Sequence, residues 1–360
     1  MKRRSTKYKG LAYAVIVISV IMTALVLAGV GIIVYDIIQD RKEAKETSAQ
    51  PIIPTYTQQE LDTKIAEAVE QTIIETTMQV EAETRQAVLD SVKASFQNEE
   101  TAVEALRPLF PNDVVVVSNG EFYFVPINRN LKMHNLKQEN LQIAEDGVLS
   151  YLENENIVSH KGIDVSRFQG NINWKKVKED GVEYAFLRVG IRGYGSGEIV
   201  KDSTFDKNIE EALKAGVKVG VYFFSQAITV DEAVEEAEFV LSEIEGYDVT
   251  YPIVFDVEKV ADKKGRMNLI SVEERTDITI AFCETIKNAG YTPMIYGNTE
   301  MFSVLTEFER LEAYEKWYAF YDPTIYFPYD FKIWQYTDKG RIDGISEPVD
   351  LNISFKTWGE

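Results

Sequence analysis

The chain has 360 residues, 45% hydrophobic and 27% charged, with 38 Lys and Arg against 58 Asp and Glu for a net charge of −20. That length calls for a principal domain with smaller parts, and the acidic balance argues against a nucleic-acid partner, whose phosphates would need clustered Lys and Arg. The single cysteine, Cys283, which the helical pattern around it places in a core, and the two histidines, His134 and His160, allow no intrachain disulfide, no Cys/His zinc site and no convincing Ser/His triad. No metal or other cofactor is expected, and acid chemistry remains.

Residues Lys2, Arg3, Arg4, Lys7 and Lys9 precede an almost unbroken apolar run from Leu11 to Tyr35. The run is long enough to cross a hydrocarbon core of ~30 Å as a helix, and its basic flank should stay cytoplasmic, sending the rest of the chain outside. A cleaved signal peptide is the competing reading; the run exceeds the usual apolar length of such signals, and no convincing small-residue cleavage site follows. A polar, proline-containing linker spans Asp40 to about Pro54. From Gln58 to about Arg107 the chain turns rich in Glu, Ala, Gln and Thr, with Leu61, Ile65, Val69 and Ile73 at four-residue spacing and Val88, Val92 and Phe96 resuming it. This predicts a helical stalk, either a solvated spacer or a surface for self-association.

Between Pro108 and His160 the pattern changes to short strands. Asp113–Ser118 and Glu121–Pro126 flank Asn119-Gly120, a strong hairpin signal, in a segment small enough to need a neighbour to pack on. From Lys161 onward apolar strands alternate with amphipathic helices. The strands are expected at Gly162–Val165, Glu183–Val189, Lys218–Ser225, Tyr251–Glu258 and Thr292–Gly297, with helices near 174–180, 204–215, 231–245, 271–288 and 299–309. Three strands with little room for helices follow: Trp317–Tyr321, Phe331–Tyr336 and Val349–Ile353. The pattern predicts an α/β fold, an irregular TIM-like barrel of five βα units and three further strands, with functional groups at the C-terminal strand ends. The expected divisions are a cytoplasmic tail and transmembrane anchor at 1–39, linker and stalk at 40–107, a small β-rich module at 108–160 and the barrel at 161–360.

Four acids fall at strand ends: Asp164, Asp256, Glu258 and Asp350. Strand alternation puts Val254, Asp256 and Glu258 on one face and Ile253, Phe255 and Val257 on the other. Carboxylates crowded between apolar walls hold their protons unequally, which suits one general acid beside an ionised partner and so the cleavage of a glycosidic bond. Tyr222, Tyr296, Trp317, Tyr321, Trp334 and Tyr336 lie at neighbouring strand ends, and aromatic rings pack well on the C–H faces of sugars. The Gly-rich stretch Arg188–Gly197 lacks the Gly-Lys-Ser/Thr of a phosphate loop and is expected to be a loop at the barrel mouth.

The segments Lys161-Gly-Ile-Asp-Val-Ser-Arg-Phe-Gln-Gly170, Ile172-Asn-Trp174, Gly220-Val-Tyr-Phe-Phe224, Phe255-Asp-Val-Glu258, Ile295-Tyr-Gly297, Ile333-Trp-Gln-Tyr336 and Val349-Asp-Leu-Asn352 closely resemble glycoside hydrolase family 25, the Chalaropsis-type lysozymes or N-acetylmuramidases. The resemblance spans about Lys161 to Phe355 and touches nothing in the first 107 residues. It implies cleavage of the β-1,4 bond between N-acetylmuramic acid and N-acetylglucosamine in peptidoglycan glycan strands. By position it makes Glu258 the proton donor and Asp164, Asp256 and Asp350 the other active-site acids; the candidate substrate-binding residues beside them are Tyr222, Tyr296, Trp317, Tyr321, Trp334 and Gln335. Phe223 stands where the family often has His, and Phe168 where it usually has Trp. Asp256 would stabilise an oxocarbenium-like charge or orient the 2-acetamido group, and strand spacing leaves retention, inversion and substrate assistance open. A chitinase-like site is disfavoured, because its signature needs Asp at the positions of Tyr251 and Val254. An inactive wall-binding barrel tethered to the membrane is the alternative from a different class.

Overall fold

The computed structural model describes Tyr35, residues 57–262 and residues 265–359. Apart from Tyr35, the expected tail, anchor and linker lie outside the described residues. Among the described residues no helix is long and apolar enough to cross a membrane. The chain divides into two compact units, one ending at Leu109 and the other beginning at Phe110.

In the first unit, α1 (Gln58–Gln97) is opened by a capping box in which Thr57 and Glu60 satisfy each other's backbone N–H groups. Gln58–Asp62, Gln71–Glu75, Gln79–Glu83 and Gln86–Asp90 are hydrogen-bonded four residues apart, the kind of pairing that sustains a helix polar around most of its circumference. The expected stalk is interrupted once. Glu99 takes a φ of 62°, α1 ends, and a second capping box at Thr101 starts the short α2 (Ala102–Leu106).

The second unit opens with the predicted hairpin, β1 (Asp113–Ser118) and β2 (Glu121–Pro126), whose turn residues Asn119 and Gly120 both have positive φ. The Tyr326 hydroxyl accepts from the Val115 N–H and donates to the Val115 carbonyl, so the hairpin packs on the barrel. A small antiparallel sheet of β3 (Leu141–Ile143), β4 (Leu149–Glu153) and β5 (Asn156–Ile157) follows.

The barrel strands are β6 (His160–Val165), β7 (Tyr184–Arg192), β9 (Lys218–Ser225), β10 (Ile253–Val257), β11 (Pro293–Asn298), β12 (Glu315–Ala319), β13 (Ile333–Gly340) and β14 (Val349–Ser354). They pair in that order, and β14 returns to β6 to close an eight-stranded α/β barrel. A short β8 (Ile199–Lys201) pairs antiparallel with the end of β7, so half of the Gly-rich stretch is strand and the rest is the turn between them. Neighbours run parallel from β6 through β13, whereas β14 is antiparallel to both β13 and β6. The segment between β13 and β14 is too short for the crossover that a parallel return requires.

Helices α3 (Trp174–Glu179), α4 (Phe205–Lys214), α5 (Val230–Glu243) and α6 (Val272–Asn288) lie where the periodicity predicts them. The fifth expected helix, near 299–309, is instead a π-helical turn at Met301–Leu305 and a 3-10 turn at Phe308–Leu311. There the Thr306 hydroxyl takes the Met301 carbonyl, ending the turn early. Alternation along the strands separates two apolar layers. Ile163, Leu187, Val221, Phe255 and Ile295 face the helices, where Cys283 is also buried, and Tyr184, Phe186, Val254, Met294, Trp317 and Ile333 fill the interior. Gly162 makes room for this filling: a Cβ there would sit 2.1 Å from the Tyr184 ring.

Candidate active site

β10 sends Val254 inward and Ile253, Phe255 and Val257 toward the helices, the alternation its sequence predicts. Asp256 therefore rises from the barrel interior, and Glu258 leaves the same face just past the strand end. The loop they enter is fixed at two points. Gln226 donates to the Glu258 carbonyl, and the Lys259 ammonium is shared between Glu300 at 2.8 Å and Asn119 of the hairpin turn at 2.9 Å.

Asp164, Asp256, Glu258 and Asp350 line one cavity of about 240 Å³ at the C-terminal end of the parallel strands. Asp350 reaches that end by a different route from the other three. It lies near the start of β14, and because β14 runs antiparallel its beginning stands opposite Asp164 near the end of β6. The remaining walls are Arg188, Tyr222, Phe224, Tyr296, Trp317, Tyr321 and Gln335. A larger cavity of about 400 Å³ lies by the N-terminal ends of β12 and β13, but there acids and bases already pair, as in Lys132–Asp330 and Lys356–Glu315, both at 2.7 Å. Among its lining residues the smaller one sets four carboxyl groups against a single basic side chain.

Two amides hold Asp164. Gln335 Nε2 and Asn352 Nδ2 both donate to Asp164 Oδ2, at 2.9 and 2.8 Å. Their own orientations are set behind them: Gln335 Oε1 accepts from the Tyr296 and Tyr321 hydroxyls, and Asn352 Oδ1 accepts from the Trp317 indole N–H. Burial raises Asp164 to about 6, and the two amide donors, which favour the ionised form, offset part of that rise. Burial, then the charge of Asp164, pushes Glu258 up to about 7 and Asp350 up to about 8. Asp256 is raised well above the usual carboxylate range by burial and then by Glu258, and its Oδ1 has no hydrogen-bond partner. The site can thus hold protonated carboxyl groups at neutral pH beside an acceptor kept in place by two amides, the requirement for acid-assisted cleavage of an acetal.

Of the substrate-side residues expected from sequence, Tyr222, Tyr296, Trp317, Tyr321 and Gln335 line the cavity, and Trp334 does not. Ile333 and Gln335 take the inward phase of β13, so Trp334 faces the outer layer, where its indole donates to the Phe320 carbonyl. Tyr336 is buried in that outer layer as well, and so is Phe223, against Phe239, which keeps that departure from the family pattern away from the cavity. Trp317 and Tyr296 are floor more than wall, whereas Tyr321, 53% exposed, stands at the rim. Sequence reasoning missed Arg188 and Phe224, although both take the inward phase of strands it had placed, and gave no role to Asn352.

The family model for glycosyl hydrolases family 25 matches residues 163–345, which takes in Asp164, Asp256 and Glu258 and stops short of Asp350. Lysozyme M1 of Streptomyces globisporus is 28% identical over 202 residues, 53% of this chain and 66% of that protein. The autolytic lysozyme of Clostridium acetobutylicum is 26% identical over 194 residues, 53% of this chain and 55% of the other. Among solved structures, the modular autolysin LytC of Streptococcus pneumoniae in complex with synthetic peptidoglycan ligand is similar in fold, with a TM-score of 0.50 and 23% identity over 68% of this chain and 58% of that one.

Proposed function

Since the chain belongs to glycosyl hydrolases family 25 and is a glycoside hydrolase, we propose that it is a membrane-anchored muramidase that cuts the β-1,4 bond between N-acetylmuramic acid and N-acetylglucosamine in peptidoglycan. The observation that carries this reading is the convergence of Asp164, Asp256, Glu258 and Asp350 on one cavity with tyrosines and a tryptophan around them. Glu258 donates its proton to the leaving oxygen and afterwards takes one from the incoming water, a role served by a carboxyl group raised to about 7. Asp256 orients the 2-acetamido group, since a buried carboxyl oxygen without a partner is supplied with one by the acetamido N–H. Asp164 and Asp350 position the sugar and Glu258.

The run Leu11–Tyr35 with its basic flank supports an anchor whose N-terminus is cytoplasmic and whose barrel lies outside the cell membrane. On the same reading α1 is the core of a stalk. Ile65, Ile73, Ile74, Leu89 and Phe96, exposed on α1, support its self-association.

Mass analysis of the fragments that the full chain releases from purified cell wall tests the bond assignment. Products ending in reducing N-acetylmuramic acid are expected, and reducing-end N-acetylglucosamine overturns it. A wall zymogram without a cleared band would instead leave the barrel a binding module.

A further inference from the structure

The acidic cavity contains one cation. Arg188, on β7, is the only basic side chain among the described residues lining it. It takes the inward phase with Tyr184 and Phe186, and a bulge against β9 follows it directly, a device that re-aims side chains beside active sites. Arg188 Nε and Nη2 both bond Asp202 Oδ2, at 2.8 and 2.7 Å. Asp202 is itself held by the backbone N–H groups of Arg167 and Thr204, each at 3.0 Å, and by the Thr204 hydroxyl at 2.7 Å. The guanidinium plane is therefore fixed from behind. Its side chain is 11% exposed, and among the described residues Nη1 neither has a partner nor belongs to the sealed polar atoms, so one donor edge stays open to an acceptor.

Tuning of the acids does not account for this arrangement. Of the four carboxyl groups, the charge of Arg188 bears on Asp256, and there only after burial, Glu258 and Asp164. The exposed ring of Phe168 adjoins the guanidinium, 5.2 Å from its Cζ, and the Arg167 guanidinium lies over the same ring at 5.3 Å. The two sugars of peptidoglycan differ by the lactyl ether on muramic acid, whose carboxyl group is an anion in peptide-free glycan and an amide carbonyl when the stem peptide is attached. Both forms accept hydrogen bonds from a guanidinium.

We infer that Arg188 is a specificity-determining residue: its open Nη1 edge receives the lactyl carboxyl group of N-acetylmuramic acid and so separates muramyl glycan from a polymer of N-acetylglucosamine alone. The inference rests on the reading of the cavity as a peptidoglycan site. Asp202 acts as a positioning residue that holds the guanidinium plane.

The test is calorimetric binding of a peptide-free oligomer of alternating N-acetylglucosamine and N-acetylmuramic acid, and of a chito-oligosaccharide of equal length, to the full chain carrying Glu258→Gln. The muramyl oligomer is expected to bind more tightly. Adding Arg188→Gln should reduce that preference roughly ten- to hundredfold, the range for a hydrogen bond to a charged group. Arg188→Lys, which can serve Asp202 or the ligand but not both, should keep part of it, and carries the test should the glutamine variant fail to fold. In the cleaving enzyme the change should raise KM more than it lowers kcat. A preference unchanged by either substitution, or both oligomers weakened equally, overturns the inference. Binding is read without turnover, so a wild-type chain that releases no muropeptides counts against the proposed function and not against this assignment.

Discussion

Asp164 and Asp350 are cross-strand partners in the antiparallel pair that closes the barrel. Side chains directly opposite on such a pair share a face, so two carboxyl groups meet where one charge is far easier to hold than two. The structure divides the roles between them. Asp164 receives two amide N–H groups and is the better anion, while Asp350, raised to about 8 by burial and by Asp164, keeps the proton.

Glu258→Gln removes the titrating group and little volume. Hydrolysis of purified wall should fall by on the order of a thousandfold or more, with the melting temperature at pH 5 close to that of the parent. Turbidity loss and a thermal scan on the same preparation check it, and a fully active variant removes Glu258 from the donor's role.

The raised acids also set a pH dependence of stability with a definite sign. Glu258 and Asp350 are raised from 4.5 and 3.8 to about 7 and about 8, so between the unfolded and folded values the native state binds more protons than the unfolded chain. Stability therefore declines as pH rises through that window. Glu258→Gln and Asp350→Asn should each raise the melting temperature at pH 8 by on the order of a few °C, with little change at pH 4. Equal shifts at both pH values would contradict the assignment.

Activity should follow the same proton. With Glu258 as donor, kcat on wall is expected to fall as pH rises above about 7. A rate that keeps climbing to pH 9 would place the donor elsewhere.

Gln335→Leu takes one donor from Asp164 and the shared acceptor from the Tyr296 and Tyr321 hydroxyls. Unpaired polar groups in a buried site cost roughly 1–3 kcal/mol, so denaturant unfolding should show a loss of that size together with a drop in kcat. Tyr321→Ala, at the rim, should raise KM with little change in stability. Trp334→Phe should do the reverse, lowering stability while leaving KM in place.

Gly162→Ala should be severe for a reason unrelated to chemistry. The added methyl meets the Tyr184 ring at 2.1 Å inside the barrel, and overpacking there costs ~1–3 kcal/mol or more. Tyr184→Leu in the same chain should restore part of the loss in a melting experiment.

The acids and the barrel were legible because a buried strand announces its phase: Ile253, Phe255 and Val257 must face the helices, which leaves Asp256 and Glu258 one direction to point. The hairpin was legible for an equally local reason, the positive φ that Asn119 and Gly120 accept. β13 gave no such signal, since Ile333, Trp334 and Tyr336 are all apolar enough for either face, and Trp334 was assigned to the wrong one. The direction of β14 and the role of Asn352 depend on a pairing with β6 across most of the barrel's sequence. Arg188 was hidden by its surroundings, as a lone cation at the head of a glycine-rich stretch reads as loop chemistry until Asp202 is seen behind it.

The strand bearing Asp350 is also the last of the barrel and delivers Asn352 along with it. A chain cut between residues 258 and 349 keeps Glu258 but lacks the seam that closes the sheet and the amide that steadies Asp164. Completion of the acid cluster is thereby coupled to closure of the sheet, since both arrive with the same strand.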